Sequence, residues 1–153
     1  MDKEVELKCK SLKDNLGYLL WQTTMLWQRQ MNRILDEINL THTQFVILAS
    51  VGWLSMRNDN VNQKDIAEDS KTDRMMVSKI LRTLQKNGLI DRNEHETDTR
   101  AKCVLLTEKG KDVLQNAIEI STQSNDLFFS KLSDKMNFRK ELRNIIGLYI
   151  TNK

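Results

Sequence analysis

The segment DTRAKCVLLTEKG, residues 98–110, begins with charged and turn-forming residues, continues as an apolar run and ends in Thr-Glu-Lys-Gly. A single secondary-structure element does not account for this order. Together with the residues before it, the segment predicts two short strands, 89–94 and 101–106, joined by the polar link HETDT as a hairpin. Thr107 then stands where a side chain can cap the next helix. The segment therefore indicates a hairpin that leads directly into a helix.

Helical periodicity fills most of the remaining chain. Apolar residues recur at three- and four-residue steps over residues 11–38, and Thr41-His42-Thr43-Gln44 has the form of a capping box. The pattern predicts a long helix over 11–38, a mostly buried helix from 41, a short helix over 62–69 and a turn at 70–72. The next helix is capped by Thr72 or Asp73 and ended by Gly88, and the hairpin follows it. After the hairpin we expect a long helix over 107–132 and a last helix from Ser133. This order predicts a mainly α fold, in which helices at both ends flank a winged helix-turn-helix core with a small β-hairpin wing.

Composition agrees with one helical domain, or one small domain with helical extensions. The 153 residues include no Pro and only five Gly, and 39% are hydrophobic, which predicts a folded core. No apolar run approaches the roughly 18 residues of a membrane-spanning helix, and the N-terminal MDKEVELKCK lacks a secretion signal, so we expect a cytoplasmic protein with no membrane partner. The net charge of +3 permits a nucleic-acid partner without requiring one.

The sequence offers no pattern for a metal, a cofactor or catalysis. Cys9 and Cys103 show no CxxC or Cys/His spacing, so each is expected to be a free thiol, and Cys103 to serve packing. There is no Gly-rich phosphate loop, no HExxH and no pairing of a nucleophile with a base. We therefore expect a protein that is not an enzyme and that has no cofactor or metal site.

The segment RMMVSKILRTLQK, residues 74–86, predicts a helix with one apolar stripe and one basic face. Its apolar residues face one side at helical spacing, whereas the opposite side carries Met75, Lys79, Arg82 and Lys86 and no carboxylate. A solvated amphipathic helix would explain the basic face, and packing on a neighbouring loop would explain Met75. A helix in the major groove explains both, because methionine can contact thymine methyl groups. The candidate DNA contacts on this helix are Arg74, Met75, Met76, Ser78, Lys79, Arg82 and Lys86.

The hairpin tip supplies a second candidate contact with DNA. Arg100 and Lys102 place long cations there, and the narrow minor groove concentrates the negative potential that attracts a guanidinium. Asp98 is two residues before Arg100 and is expected to orient that guanidinium by a charge-assisted hydrogen bond.

These residues carry a resemblance to a known family. "DTRAKCVLLTEKG" resembles the D-x-R…L-T-x-x-G signature of the MarR family of winged-helix transcription regulators, and "LRTLQKNGLIDR" resembles the end of the family's recognition helix and its first wing strand. The resemblance implies a homodimer on a pseudo-palindromic duplex DNA operator, with the arginine matching Arg100 in the minor groove, supported by Asp98. Residues 1–40 and 108–153 would form the helical dimerisation region, and 41–107 the DNA-binding lobe.

The chain also departs from the family pattern. Lys71 stands where the turn usually carries Gly, and Met75 and Met76 stand where small hydroxyl residues are common. The reactive cysteine of the peroxide-sensing branch matches Gly17, so thiol sensing does not transfer to Cys9. The turn geometry and the operator sequence therefore cannot be taken from relatives.

Family members are often released from DNA by a small aromatic or phenolic effector. Tyr18, Trp21, Arg29, His42 and Trp53 are candidates to line such a site, although aromatic residues at helical spacing also serve core or dimer packing. His42 is expected at the surface because it lies in the capping box. A winged-helix protein-interaction module, such as an antirepressor, remains the alternative to a DNA-binding regulator.

Overall fold

The computed structural model describes residues 13–94 and 102–150. The elements are α1 (Leu16–Asp36), α2 (His42–Ser55), α3 (Gln63–Ser70), α4 (Arg74–Lys86), β1 (Ile90–Glu94), β2 (Lys102–Leu106), α5 (Glu108–Phe128), a 3-10 turn (Phe129–Lys131) and α6 (Lys135–Ile150). The predicted order of elements and the mainly helical winged-helix fold are confirmed. The first helix begins later than predicted, because the Asn15 side chain caps it by accepting from the Tyr18 N–H at 3.2 Å.

Side-chain caps set where the helices begin. Thr41 and Gln44 form the predicted capping box, with hydrogen bonds of 3.1 and 3.0 Å between each side chain and the other residue's N–H. Asp73, rather than Thr72, caps α4, and its carboxylate accepts from the N–H groups of Met75 and Met76 at 2.9 and 3.2 Å. The start of α4, the predicted recognition helix, is therefore set by the residue directly before it in the sequence.

Lys71 ends α3 in the left-handed conformation, with φ of 55°. This is the position where the family usually carries Gly, which adopts that conformation without the roughly 1–2 kcal/mol that a Cβ costs. The Lys71 ammonium donates to the Glu68 carbonyl at 2.7 Å. The turn thus keeps a left-handed backbone although its residue departs from the family pattern.

One hydrophobic core joins the helices to the hairpin. The apolar stripe of α4 is buried as predicted, with Val77, Leu81 and Leu84 fully inaccessible to solvent. It packs within a cluster that includes Leu35, Ile47, Ile66, Ile90 and Val104. α4 is therefore held by its apolar face, which leaves the basic face directed outward.

The hairpin is antiparallel, with Ile90 opposite Leu106 and Glu94 opposite Lys102. Its second strand also pairs with the segment before α3, since the Val104 N–H donates to the Val61 carbonyl at 2.8 Å. Cys103 is buried in this strand, in agreement with a packing role. Cys9 lies outside the described residues.

The Thr-x-x-Gly end of the opening segment forms a tight junction between the hairpin and α5. The Thr107 hydroxyl donates to the Gly88 carbonyl at 2.6 Å and accepts from the Gly110 N–H at 2.9 Å, while the Thr107 N–H donates to the Leu89 carbonyl at 3.1 Å. A Cβ at Gly110 would lie 1.9 Å from that same carbonyl oxygen. We call the contacts among Gly88, Leu89, Thr107 and Gly110 the Thr107 junction.

Among the helices of residues 13–94 and 102–150, none combines the length and the apolar character needed to cross a membrane.

Gly110→Ala should destabilise the fold strongly. The added Cβ would overlap the Leu89 carbonyl oxygen, so α5 would have to move away from the hairpin, and we expect a loss of about 3 kcal/mol in the free energy of unfolding. Urea unfolding measures the loss. Asn116→Ala, at an exposed position on the same helix, is the control and should change stability by less than about 0.5 kcal/mol. Equal stability of the two variants would contradict the close approach.

Candidate nucleic-acid interface

The outer face of α4 is the principal candidate surface. Arg74, Lys79, Arg82 and Lys86 are exposed, and α4 contains no carboxylate. The helix is therefore a one-sign basic surface rather than a face of mixed charge. The acidic residue that directly precedes the helix, Asp73, has its carboxylate engaged in the cap.

Two methionines stand at the leading end of this face. Met75 is 83% exposed and Met76 is 50% exposed. Packing of Met75 on a neighbouring loop, the alternative explanation from sequence, is excluded for the described residues by that exposure. Large apolar side chains in water are costly unless a partner covers them, so their position at the N-terminal end of a basic helix is informative.

Arg82 bonds to its own helix. Its guanidinium donates from Nη2 to the Ser78 hydroxyl at 3.2 Å and from Nε to the Ser78 carbonyl at 3.4 Å. Both residues are predicted DNA contacts, and this pairing holds the guanidinium along the helix surface. The remaining guanidinium donors stay available to an external acceptor.

The wing contributes less to the described surface. Lys102 is exposed at the first position of β2, opposite Glu94. Asp98 and Arg100, which are predicted to contact each other, lie outside the described residues. The structure brings the α4 candidates together on one face, and places Lys102 at the end of the described hairpin that leads to the tip.

The five effector candidates do not form one site in the protomer. Tyr18, Trp21 and Arg29 are exposed along α1. Trp53 is half exposed near the end of α2, and the Arg57 guanidinium lies 4.2 Å from its ring centroid. His42 starts the same helix, eleven residues earlier, which corresponds to about 16 Å along the helix axis. A small ligand cannot contact both ends of α2 in one compact pocket.

The expectation that His42 lies at the surface is wrong, because its side chain is buried. The capping box exposes Thr41, but the helix then turns the next side chain inward, against α1. The His42 ring packs edge-on against Trp27, with 4.6 Å between ring centroids, and the backbone N–H of His42 donates to the Asn32 side-chain oxygen at 2.8 Å. The helical periodicity of residues 11–38 includes Trp27 and carries no signal for this contact, because His42 lies in another helix.

Trp27 also connects α1 to α5. Its indole N–H donates to the Asn125 side chain at 2.8 Å, and Gln30, one turn further on, donates to the Ser124 hydroxyl at 2.7 Å. Trp27 and His42 thus mark the place where α1, α2 and α5 meet. The amide and hydroxyl residues of this cluster carried no signal in the sequence, because their partners are almost 100 residues away.

Within the described part of the chain no group of three or more His, Cys, Asp or Glu side chains is arranged to hold a metal ion.

Burial lowers the pKa of His42 from its ordinary value of 6.5. As the pH falls through that value, the unfolded chain takes up the proton before the folded chain does, so acid should favour unfolding at this residue. We expect the free energy of unfolding to fall between about pH 7.5 and about pH 5.5, and to fall less in His42→Phe. Urea unfolding at the two pH values measures the difference, and an equal fall in both proteins would contradict the effect of His42 burial.

Comparison with known proteins agrees with this geometry. The family model for the ArnR1-like winged-helix domain matches residues 36–124. The HTH-type transcriptional regulator YdcH of Bacillus subtilis (strain 168) is 38% identical over 130 residues, which cover 85% of this chain and 88% of YdcH.

Solved structures show the same fold at lower identity. The repressor CouR, bound to a 23-mer DNA duplex, has a TM-score of 0.78 and 24% identity, and the match covers 94% of this chain and 99% of CouR. CouR from Rhodococcus jostii RHA1 has also been solved with p-coumaroyl-CoA, with a TM-score of 0.77, 20% identity and coverage of 93% of this chain and 96% of CouR. Wild-type apo MarR from E. coli has a TM-score of 0.68 and 18% identity, over 88% of this chain and 96% of MarR.

The wing signature, the winged-helix architecture and these similarities lead to one assignment: the chain belongs to the MarR family of winged helix-turn-helix transcriptional regulators.

Proposed function

We propose that the protein is a dimeric, sequence-specific DNA-binding transcriptional regulator, most simply a repressor, of a pseudo-palindromic operator. The observation that carries the proposal is the outer face of α4, where four cations and two exposed methionines occur without a carboxylate. Such a face matches the phosphates and the thymine methyl groups of a major groove.

Each residue type on this face has a distinct role. Met75 and Met76 would read apolar features of the bases, because they stand at the leading end of α4. Lys79, Arg82 and Lys86 would bind bases or phosphates, and each phosphate contact releases counterions and makes affinity depend on salt. Arg74, Ser78 and Lys102 complete the set, with Arg100 in the minor groove and Asp98 beside it as the family resemblance implies.

Dimerisation is supported by apolar side chains that a single protomer leaves exposed. They lie on α1 and on the C-terminal helices: Leu16, Leu20, Trp21, Leu26, Leu127, Met136, Leu142, Ile145 and Ile146. A second copy that buries these two regions would remove them from water. We accordingly assign residues 1–40 and 108–153 to dimerisation and 41–107 to the DNA-binding lobe.

A two-fold axis through the dimer gives the operator its symmetry. Two recognition helices would enter successive major grooves about one turn, roughly 34 Å, apart. This function requires no catalysis, and it places the protein with DNA in the cytoplasm.

An effector would act between the dimerisation helices and the DNA-binding lobe. CouR binds p-coumaroyl-CoA, an aromatic thioester, which makes a small aromatic or phenolic effector reasonable here. The candidate contacts fall into separate groups, because one compact pocket cannot hold both ends of α2. His42, with Trp27 packed against it, would belong to one site and Trp53 to another, and Tyr18, Trp21 and Arg29 stay candidates on α1.

Selection of bound sequences from a random duplex library tests the proposal, at low and at near-physiological salt. A two-fold symmetric site with steeply salt-dependent affinity is the expected result. Weak, sequence-blind retention at both salt concentrations would contradict it, and would favour a protein-interaction module such as an antirepressor.

Met75→Ala should change the base preference of the protein more than it changes the salt dependence of DNA binding. Loss of an apolar base contact should relax the preference at one position of each half-site by about 1 kcal/mol, or about fivefold. The salt dependence should stay the same because no cation is removed. Quantitative binding to duplexes varied at single positions measures both, and Met56→Ala, which removes an equally exposed methionine from the end of α2, is the control. An unchanged preference profile in Met75→Ala would refute this role.

Ile146→Glu should weaken the dimer. A carboxylate on the exposed apolar face of α6 would have to be buried without a partner, which costs several kcal/mol. Analytical ultracentrifugation at micromolar concentration should find mostly monomer. Asn144→Glu adds the same carboxylate at a polar position of the same helix and should remain dimeric, so equal masses for the two variants would argue against α6 as the interface.

A further inference from the structure

Three elements of the DNA-binding lobe meet at one glutamine side chain. The Gln63 side chain accepts from Arg92 Nη2 at 3.4 Å and donates from Nε2 to the Arg74 carbonyl at 3.2 Å. Gln63 is the first residue of α3, Arg92 lies in the middle of β1, and Arg74 is the first residue of α4. We call this set of contacts the Gln63 bridge.

The Arg92 guanidinium is engaged within the lobe by its bond to Gln63. Its side chain is half-buried and its Nε atom is inaccessible to solvent. Its cross-strand neighbour in the hairpin is Val104, which is itself tied to Val61 at the entrance to α3. The α3 entrance is therefore bonded to both strands of the wing, through the backbone to β2 and through Gln63 to β1.

The other end of the bridge lies at the start of the recognition helix. The Arg74 carbonyl directly precedes Met75, and the Asp73 cap holds the same turn from the other side. A shift of this carbonyl would move Met75, Met76 and the basic residues that follow them on α4 relative to the wing. The bridge thus sets the distance between the two parts of the lobe proposed to contact DNA.

We propose that Gln63 and Arg92 are positioning residues for DNA binding, which hold the N-terminus of α4 and the wing in the relative placement that lets both dock together. The inference rests on the proposed function. When either α4 or the wing has bound DNA, a rigid lobe presents the other element to the DNA at high effective concentration. A loose lobe must first be ordered, which costs entropy. The bridge acts through the placement of other residues and makes no contact with DNA itself.

The chemistry of glutamine suits this role because one amide supplies both a donor and an acceptor. Gln63→Ala removes both bonds. Gln63→Glu keeps the acceptor for Arg92, but places a carboxylate oxygen against the Arg74 carbonyl, where a donor is required. Arg92→Lys keeps the positive charge and loses the planar guanidinium. Gln63→Ala and Arg92→Lys leave the net charge unchanged, so they report on placement rather than on charge.

The test measures the affinity of each variant for the duplex that the wild-type protein selects and for an unrelated duplex. Gln63→Ala, Gln63→Glu and Arg92→Lys should each bind the selected duplex about five- to tenfold more weakly. Gln63→Ala and Arg92→Lys should bind the unrelated duplex within about twofold of wild type and keep its salt dependence, since they remove no phosphate contact and leave the net charge unchanged. The double variant Gln63→Ala/Arg92→Lys should be no weaker than the more affected single variant. Gln115→Ala, an exposed amide on α5, is the matched control.

Amide hydrogen exchange without DNA supplies a second readout. Exchange near the start of α4 should accelerate in Gln63→Ala and not in Gln115→Ala, at equal global stability by urea unfolding. Unchanged exchange, or effects of Gln63→Ala and Arg92→Lys that add on the selected duplex, would overturn the inference. Equal affinity of Gln63→Ala and the wild-type protein for the selected duplex would also overturn the inference, but would leave the proposed function intact. A wild-type protein that selects no duplex would overturn the proposed function and this inference together.

Discussion

The hydroxyl of Thr107 is the contact on which the arrangement of the lobe depends. It donates to the Gly88 carbonyl just after α4 and accepts from the Gly110 N–H in the first turn of α5, so one side chain connects the end of α4 to the start of α5. The backbone of α5 approaches the Leu89 carbonyl so closely that only glycine fits at position 110. The hairpin between these two points is therefore short and held at its base.

This constraint explains why the basic face of α4 is available. The apolar face is committed to the core, and the ends of the helix are held by Asp73 at the start and by the Thr107 junction after Gly88. A helix anchored in this way cannot rotate its cations toward the protein. Trp27 bonds to α5, and α5 is joined to the end of α4 at the Thr107 junction. An effector that bound near Trp27 and His42 and moved α5 would therefore also move α4.

Local signals in the sequence were sufficient for most of the fold. The capping box at Thr41, the cap at Asp73, the stripe containing Val77 and Leu81, and the turn at Gly88 all depend on residues within one or two helical turns, and each is found in the structure. The inward turn of His42 depends on Trp27 in another helix, so periodicity within α2 did not reveal it.

The candidate site was predictable to the same extent and for the same reason. The outward face of α4 follows from helical geometry, and its exposure agrees with the prediction. The bonds of Gln63 to β1 and α4 join residues 11 to 29 positions apart, and no local pattern encodes them. The effector candidates were grouped by residue type and nearness in sequence, and Trp53 and His42 are at opposite ends of α2.

Hydroxyl-radical footprinting of the wild-type protein on its selected duplex tests most directly whether α4 and the wing of each protomer in the dimer contact DNA together. Protection of two tracts about ten base pairs apart, each flanked on its outer side by a protected stretch of minor groove, is the result that the account predicts. One continuous tract without two-fold symmetry, or protection of the major-groove tracts with unprotected flanks, would contradict it.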